Sequence, residues 1–235
     1  MQNFAHIQTM RQFFNAVHTQ YQNRTLLHYM EGHQVHAAST TEFFNTAAQY
    51  AAVLVSKGLS EKHIGIMGTN RMEWLAAFCA VFQAGAVAVL LSPDLNAQEL
   101  SERVEQADLA GILHDDILQH VIDNAEFPET FVRLNMDFLW NTVAECSSFQ
   151  PDFEPNGASL ACILFTSGTT SKPKAVMLSH SAMTAGVCHN VIRYPFQSQL
   201  AILPFHHIAG IASVLNTWYL GAMVCIGTDF KYLFR

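Results

Sequence analysis

The chain has 235 residues; hydrophobic residues make up 50% of it and charged residues 13%, and the formal net charge is −7. That length holds one large domain or two modest ones, and with no basic stretch longer than Lys172-Pro173-Lys174 the charge speaks against nucleic acid or an anionic membrane as the main partner. A typical soluble domain carries about 25% charged residues, so part of this surface is expected to be covered, by a second copy in a homodimer or by further chain.

The start, Met1-Gln2-Asn3-Phe4-Ala5-His6, has no basic region followed by an apolar run and does not read as a secretory signal. Helical spacing runs over 9–22, with Phe13, Phe14 and Val17 on one side. Thr25–Met30 and Gln34–Ala38 flank Glu31-Gly32-His33 and predict a hairpin. Thr40 or Thr41 can cap a helix through Lys57, ended by Gly58. A strand is predicted over Ile64–Gly68 and a helix over Met72–Ala84. Trp74–Leu91 approaches the roughly 20 apolar residues of a membrane span, but Gln83-Ala84-Gly85 interrupts it, so helix, glycine stop and buried strand (Ala86–Leu91) is the reading. Further helices are predicted over Ala97–Gln106 and Ile117–Asn124, and strands over Gly111–His114 and Thr130–Asn135. This alternation predicts βαβ units and a parallel sheet covered on both faces.

Residues 145–158 lack periodicity and carry two prolines, which predicts a linker. A first α/β subdomain over 1–150 and the start of a second over 151–235 follow. In the second, helices are expected over Ser181–Arg193 and Ile208–Leu220, with strands at Leu200–Leu203 and Val224–Ile226. The five cysteines, Cys79, Cys146, Cys162, Cys188 and Cys225, are odd in number, widely spaced and mostly among apolar neighbours. They read as core thiols of a reducing, cytoplasmic compartment. Asp115 and Asp116 with His114 and His120 suggest a metal at first sight. A solvated helix start, where carboxylates are favoured, is the simpler reading, and no metal ligand is assigned.

Residues 163–180 read Ile-Leu-Phe-Thr-Ser-Gly-Thr-Thr-Ser-Lys-Pro-Lys-Ala-Val-Met-Leu-Ser-His. An apolar strand enters a loop of hydroxyls, one glycine and two lysines, then the chain turns apolar again. Such a loop suits polyphosphate: small residues let backbone N–H groups face phosphate oxygens, hydroxyls donate, and lysines add charge. It is not the common P-loop, because Lys172 is followed by Pro173 where Ser or Thr is needed. A plain surface turn is the competing reading, but it leaves the length and the two lysines unexplained.

The string resembles the signature loop of the AMP-forming adenylate synthetases, the superfamily of acyl-CoA synthetases, peptide synthetase adenylation domains and firefly luciferase. Residues 166–180 match in order and spacing, except that Ser171 and Ala175 stand where glycine is usual; a glycine that needs positive φ is not freely replaced. Phe82–Gly85 through Leu91-Ser92-Pro93 resembles the family's core segment. Leu203-Pro204-Phe205-His206-His207-Ile208-Ala209-Gly210 resembles its pocket-histidine motif, with His207 at the histidine position. Neighbouring residues such as His206 and His207 are expected to point apart, against a zinc pair.

The resemblance implies an α/β fold of layered βαβ units with mostly parallel sheets. It also implies a ligase using ATP, Mg and coenzyme A on a carboxylic acid, as in fatty acid metabolism. Thr166, Ser167, Gly168, Thr169, Thr170, Lys172 and Lys174 would hold the nucleotide's phosphates, and His207 would sit catalytically beside the carboxylate; Ser213 and Asn216 are candidates for the acyl pocket. No Tyr-Gly-x-Thr-Glu or Thr-Gly-Asp segment occurs, and no small C-terminal domain. The expectation is therefore an N-terminal portion of such a ligase that does not turn over alone. A non-catalytic assembly module and one half of a split enzyme are the alternatives.

Overall fold

The computed structural model of the protein describes residues 4–32, 34–139, 153–166, 173–189 and 196–227. A single turn of 3-10 helix at Phe4–His6 precedes α1 (Met10–Gln20), whose start is closed by a capping box between Thr9 and Gln12. Strands β1 (Thr25–Glu31) and β2 (Gln34–Ser39) form the antiparallel hairpin, and α2 (Thr40–Ser56) follows at once. Its cap is Ser39, in a capping box with Glu42, rather than Thr40 or Thr41, because the Thr40 hydroxyl is turned inward and donates to the Arg24 carbonyl. Then come β3 (His63–Met67), α3 (Met72–Gln83), β4 (Val87–Leu91), α4 (Ala97–Gln106), β5 (Leu109–His114), α5 (Gln119–Asn124, entered through a 3-10 turn at Asp116–Leu118) and β6 (Val132–Asn135). Residues 140–152, most of the expected linker, lie outside the described residues. The chain continues as β7 (Leu160–Thr166), β8 (Lys174–Ser179), α6 (His180–His189), β9 (Ser198–Ala201), α7 (Ile208–Tyr219) and β10 (Met223–Ile226).

Two sheets result. The larger runs β6-β5-β3-β4-β7-β8, parallel except for β8, which returns antiparallel to β7; the smaller runs β2-β1-β10-β9 and is parallel across β1, β10 and β9. Both sheets draw strands from either side of residue 150, so the boundary expected there separates neither sheet from the other. The buried strands read as near-continuous apolar runs, as two covered faces require: all five residues of β4 are buried.

Helix α3 lies at the centre. Trp74 through Phe82 are nine consecutive residues without exposed surface, which explains why this run approaches membrane-span hydropathy. No described helix is long and apolar enough to cross a membrane. Gly85 ends the segment at φ +75°, and a Cβ there would press on Arg11 Nη2 at 3.0 Å and the Phe153 carbonyl at 3.2 Å. Around α3 the aromatic rings converge on Phe14, whose centroid lies 5.5 Å from Phe13, 6.2 Å from Phe44, 6.3 Å from Phe78, 5.9 Å from Phe82 and 6.5 Å from Trp218. Of the thiols, Cys79 and Cys162 are buried and held protonated by desolvation; Cys188 and Cys225 are half-buried, and Cys146 lies outside the described residues.

Helix α1 fastens the base of the β7–β8 hairpin to this core. Arg11 donates from Nε to the Phe82 carbonyl at 3.3 Å, at the carboxyl end of α3, and pairs through Nη1 with Glu154 ahead of β7. The buried His180, first residue of α6, accepts the Met10 N–H at Nδ1, 3.2 Å. Burial, helped by the Arg11 charge, pushes this imidazole down to about 4.

Two tests follow from this packing. Phe14→Ala removes the hub of the ring cluster and should cost about 3–5 kcal/mol, read as a lowered urea midpoint. For His180, the unfolded chain takes up its proton near pH 6.5 and the folded chain resists down to about 4. Its contribution is therefore full above that upper value and is lost as pH falls through the window. Melting temperatures across that window should fall more steeply for the wild type than for His180→Gln, which keeps an acceptor without the titration; equal slopes would remove His180 from the acid response.

Candidate active site

The carboxyl ends of β3, β4 and β7 lie at one edge of the larger sheet, because the three strands are parallel neighbours in register. The phosphate-type loop leaves from this edge. Thr166, last residue of β7, is the Cα partner of Lys174, first residue of β8, and both are exposed. They frame the mouth of the loop. Ser167, Gly168, Thr169, Thr170, Ser171 and Lys172 lie outside the described residues. Ala175 sits inside β8 opposite Phe165, in extended backbone without positive φ, so its methyl group is compatible with the strand.

Two residues that sequence reasoning passed over brace this mouth from α4. The Arg103 guanidinium lies 5.0 Å over the Phe165 ring and donates from Nη1 to Gln106 Oε1 at 2.8 Å. Gln106 in turn donates from Nε2 to the Pro173 carbonyl at 3.0 Å. Their only signal in the sequence was a place in the last turn of a predicted helix.

The histidine pair approaches the same edge from the smaller sheet. After β9 the chain turns at Pro204–His207, closed by the His207 N–H on the Pro204 carbonyl at 3.1 Å, and His207 is the N-cap residue of α7 with its side chain exposed. Contrary to the expectation that adjacent side chains diverge, the two imidazoles pack at a tilt with centroids 4.2 Å apart. The alternation rule applies to strands, and this is a tight turn. Burial pushes His206 down to about 4, the His207 charge adding to it and Asp94, in the loop after β4, opposing it. His206 is thus neutral at physiological pH. In α7, Ser213 spends its hydroxyl on the Gly210 carbonyl at 2.8 Å, while Asn216 holds its amide oxygen in a buried place with no partner among the described residues.

The loop after β3 links this turn to the sheet. The chain runs from β3 to β4 on one side and returns to β5 on the other, so the crevice beyond β3 and β5 is the topological switch point. Asp115, at the end of β5, is buried there instead of solvated as expected. Its carboxylate accepts the Thr69 N–H at 2.7 Å and hydroxyl at 3.0 Å, and lies 3.5 Å from Arg71 Nη1. Burial lifts its pKa, and the Thr69 hydrogen bonds and the Arg71 charge hold the rise back. Arg71 also pairs with Glu73 and Asp137, each at 2.7 Å. A cleft of about 380 Å³ opens beside this network, lined by Tyr29, Thr69, Asn70, Arg71, Glu73 and Asp137. His114 is buried and turned to the Asp115 carbonyl, and His120 faces the Ile117 carbonyl, so neither joins the carboxylates. A larger groove of about 1040 Å³ lies between α4 and α5, but Glu102, Glu105, Asp108 and Glu126 line it and would repel a polyphosphate.

The edge thus gathers a hydroxyl- and lysine-framed loop, a neutral histidine packed on an exposed one, and a rigid anchor between them. Known proteins resemble the chain in fold and in sequence. In fold, the chain is similar to the N-terminal domain of FACL13 from Mycobacterium tuberculosis, with a TM-score of 0.85 at 21% identity over 95% of this chain and 58% of that one. In sequence it is 28% identical over 179 residues to a 2-succinylbenzoate–CoA ligase of Bacillus cytotoxicus, covering 75% of this chain and 34% of that protein. It is 26% identical over 207 residues to a long-chain-fatty-acid–CoA ligase of Rattus norvegicus, covering 76% and 31%. A polyketide synthase–nonribosomal peptide synthetase of Aspergillus flavipes is 33% identical over 133 residues, covering 56% and 3%. The chain spans about a third of the length of the two ligases. The family described as AMP-binding enzyme matches residues 13–234, nearly the whole chain, and to that family the chain belongs.

Proposed function

We propose that this chain carries the phosphate-gripping part of a ligase that activates a carboxylic acid with ATP. A carboxylate oxygen attacks the α-phosphorus, the bond to the pyrophosphate breaks, and an acyl adenylate forms. A thiol such as that of coenzyme A then attacks the acyl carbon, and AMP leaves as the C–S bond replaces the C–O bond. The supporting observation is the hairpin mouth, Thr166 facing Lys174, at the same sheet edge as the His206–His207 turn.

In this reading Thr166, Ser167, Thr169 and Thr170 donate to the β- and γ-phosphates, Gly168 admits the backbone, and Lys172 and Lys174 neutralise the departing pyrophosphate. His207 stands beside the carboxylate, and His206, kept neutral by burial, adds no charge there. In this reading magnesium arrives on the nucleotide's own phosphates; among the described residues no three His, Cys, Asp or Glu side chains converge to hold a metal. A cytoplasmic setting, with ATP and coenzyme A at hand, fits this chemistry.

The 235-residue chain is expected to bind ATP and pyrophosphate by calorimetry without catalysing ATP–pyrophosphate exchange across a panel of carboxylic acids. Robust exchange would overturn the second half of that statement. Lys174→Ala should weaken pyrophosphate binding by roughly three- to tenfold; unchanged affinity would take Lys174 out of the phosphate site. The apolar side chains left exposed on the edge strands, Val176 and Met177 of β8 and Leu200 of β9, favour assembly as a second reading. A native mass measurement showing only monomer would remove it.

A further inference from the structure

We infer that Asn70 is a positioning residue for His207, an external clamp that fixes the histidine turn to the switch-point crevice of the larger sheet. The inference rests on the reading of His207 as a pocket residue. Asn70 donates from Nδ2 to the Leu203 carbonyl at 2.8 Å and accepts the Phe205 N–H at Oδ1, also 2.8 Å. A primary amide offers a donor and an acceptor side by side without carrying charge. Here it spans the two backbone groups flanking Pro204, which has no N–H of its own. The turn therefore draws this support from a residue 133 positions away in sequence.

The clamp is stiff at both ends. On the Asn70 side, Thr69 is held by the Asp115 carboxylate through its N–H and its hydroxyl, and Arg71 is held by Glu73, Asp115 and Asp137. Gly68 lies so close that a Cβ there would sit 2.8 Å from the Asp115 carboxylate. On the turn side, the Phe205 ring packs on Trp74 of α3 with centroids 5.5 Å apart, and the Pro204 carbonyl accepts the His207 N–H. A displacement of Asn70 therefore passes through Phe205 to His206 and His207. A residue that only stabilised the fold would leave the His207 ring environment unchanged when replaced.

The test uses isotope-labelled 235-residue chain, with amide exchange at Phe205 and the ring resonances of His207 as readouts. Asn70→Ala should raise Phe205 exchange by roughly three- to tenfold and move the His207 ring resonances, with protection in β3, β4 and β5 unchanged. Asn70→Asp keeps the acceptor and should restore Phe205 protection. Unmoved His207 resonances in Asn70→Ala, or Phe205 exchanging as fast in Asn70→Asp as in Asn70→Ala, would overturn the inference. If the alanine chain loses protection throughout the sheet, Asn70→Asp decides alone: Phe205 protected with displaced His207 resonances supports the clamp, and any other result overturns it. Titration of the wild type with ATP and octanoate separates the underlying reading. His207 resonances that ignore both ligands would remove His207 from the pocket and leave the Asn70 result standing.

Discussion

A helix with no solvent face has to be wrapped, and α3 is such a helix. Nine successive side chains from Trp74 to Phe82 are fully buried, so one amphipathic stripe cannot satisfy it. The larger sheet covers one part, α2 and α1 another, and Phe205, from the segment joining β9 to α7, reaches Trp74. The hydrophobic effect then ties together elements that are far apart in sequence, because leaving any side of α3 open would expose large aromatic surface.

Both segments of the candidate site are fastened to this helix, the histidine turn at its amino end and the base of the β7–β8 hairpin at its carboxyl end. At its amino end, Asn70 and Arg71 hold the crevice and the histidine turn. At its carboxyl end, the Phe82 carbonyl takes Arg11, which grips Glu154 ahead of β7, and the Phe82 ring meets His180 edge-on at 5.7 Å behind β8. The β7–β8 hairpin and the histidine turn belong to different sheets. What relates them is their shared attachment to α3, which leaves the Thr166–Lys174 mouth and the turn at one edge of the larger sheet.

Much of this was legible in the sequence where a local signal decided the matter. Ala97–Gln106 matches its expected span because Asn96 and Glu99 form a capping box at its start, and the strand at 87–91 follows from an apolar run after Gly85. The strings at 166–180 and 203–210 pointed to the candidate site through their resemblance to the signature segments of a known family. What failed to show were contacts made by ordinary residues at long range. Thr40 reads as a cap until Arg24 claims its hydroxyl and Ser39 takes the place. Asp115 looks like a solvated helix start until Thr69 and Arg71 close over it. Asn70, Arg103 and Gln106 carry no local pattern, and their roles exist only once the sheets bring distant loops together.

The turn that carries His207 is also closed from within. Gly210 lies so tightly under the preceding backbone that a Cβ would stand 2.0 Å from the Pro204 carbonyl oxygen and 3.0 Å from that of Leu203. Only a residue without a side chain fits, and the peptide at Pro204 is braced against the first turn of α7. His207 is therefore no free loop residue. Its backbone cannot swing without carrying the start of the helix along, so its motion belongs to the slower class of helix displacements rather than to loop fluctuation.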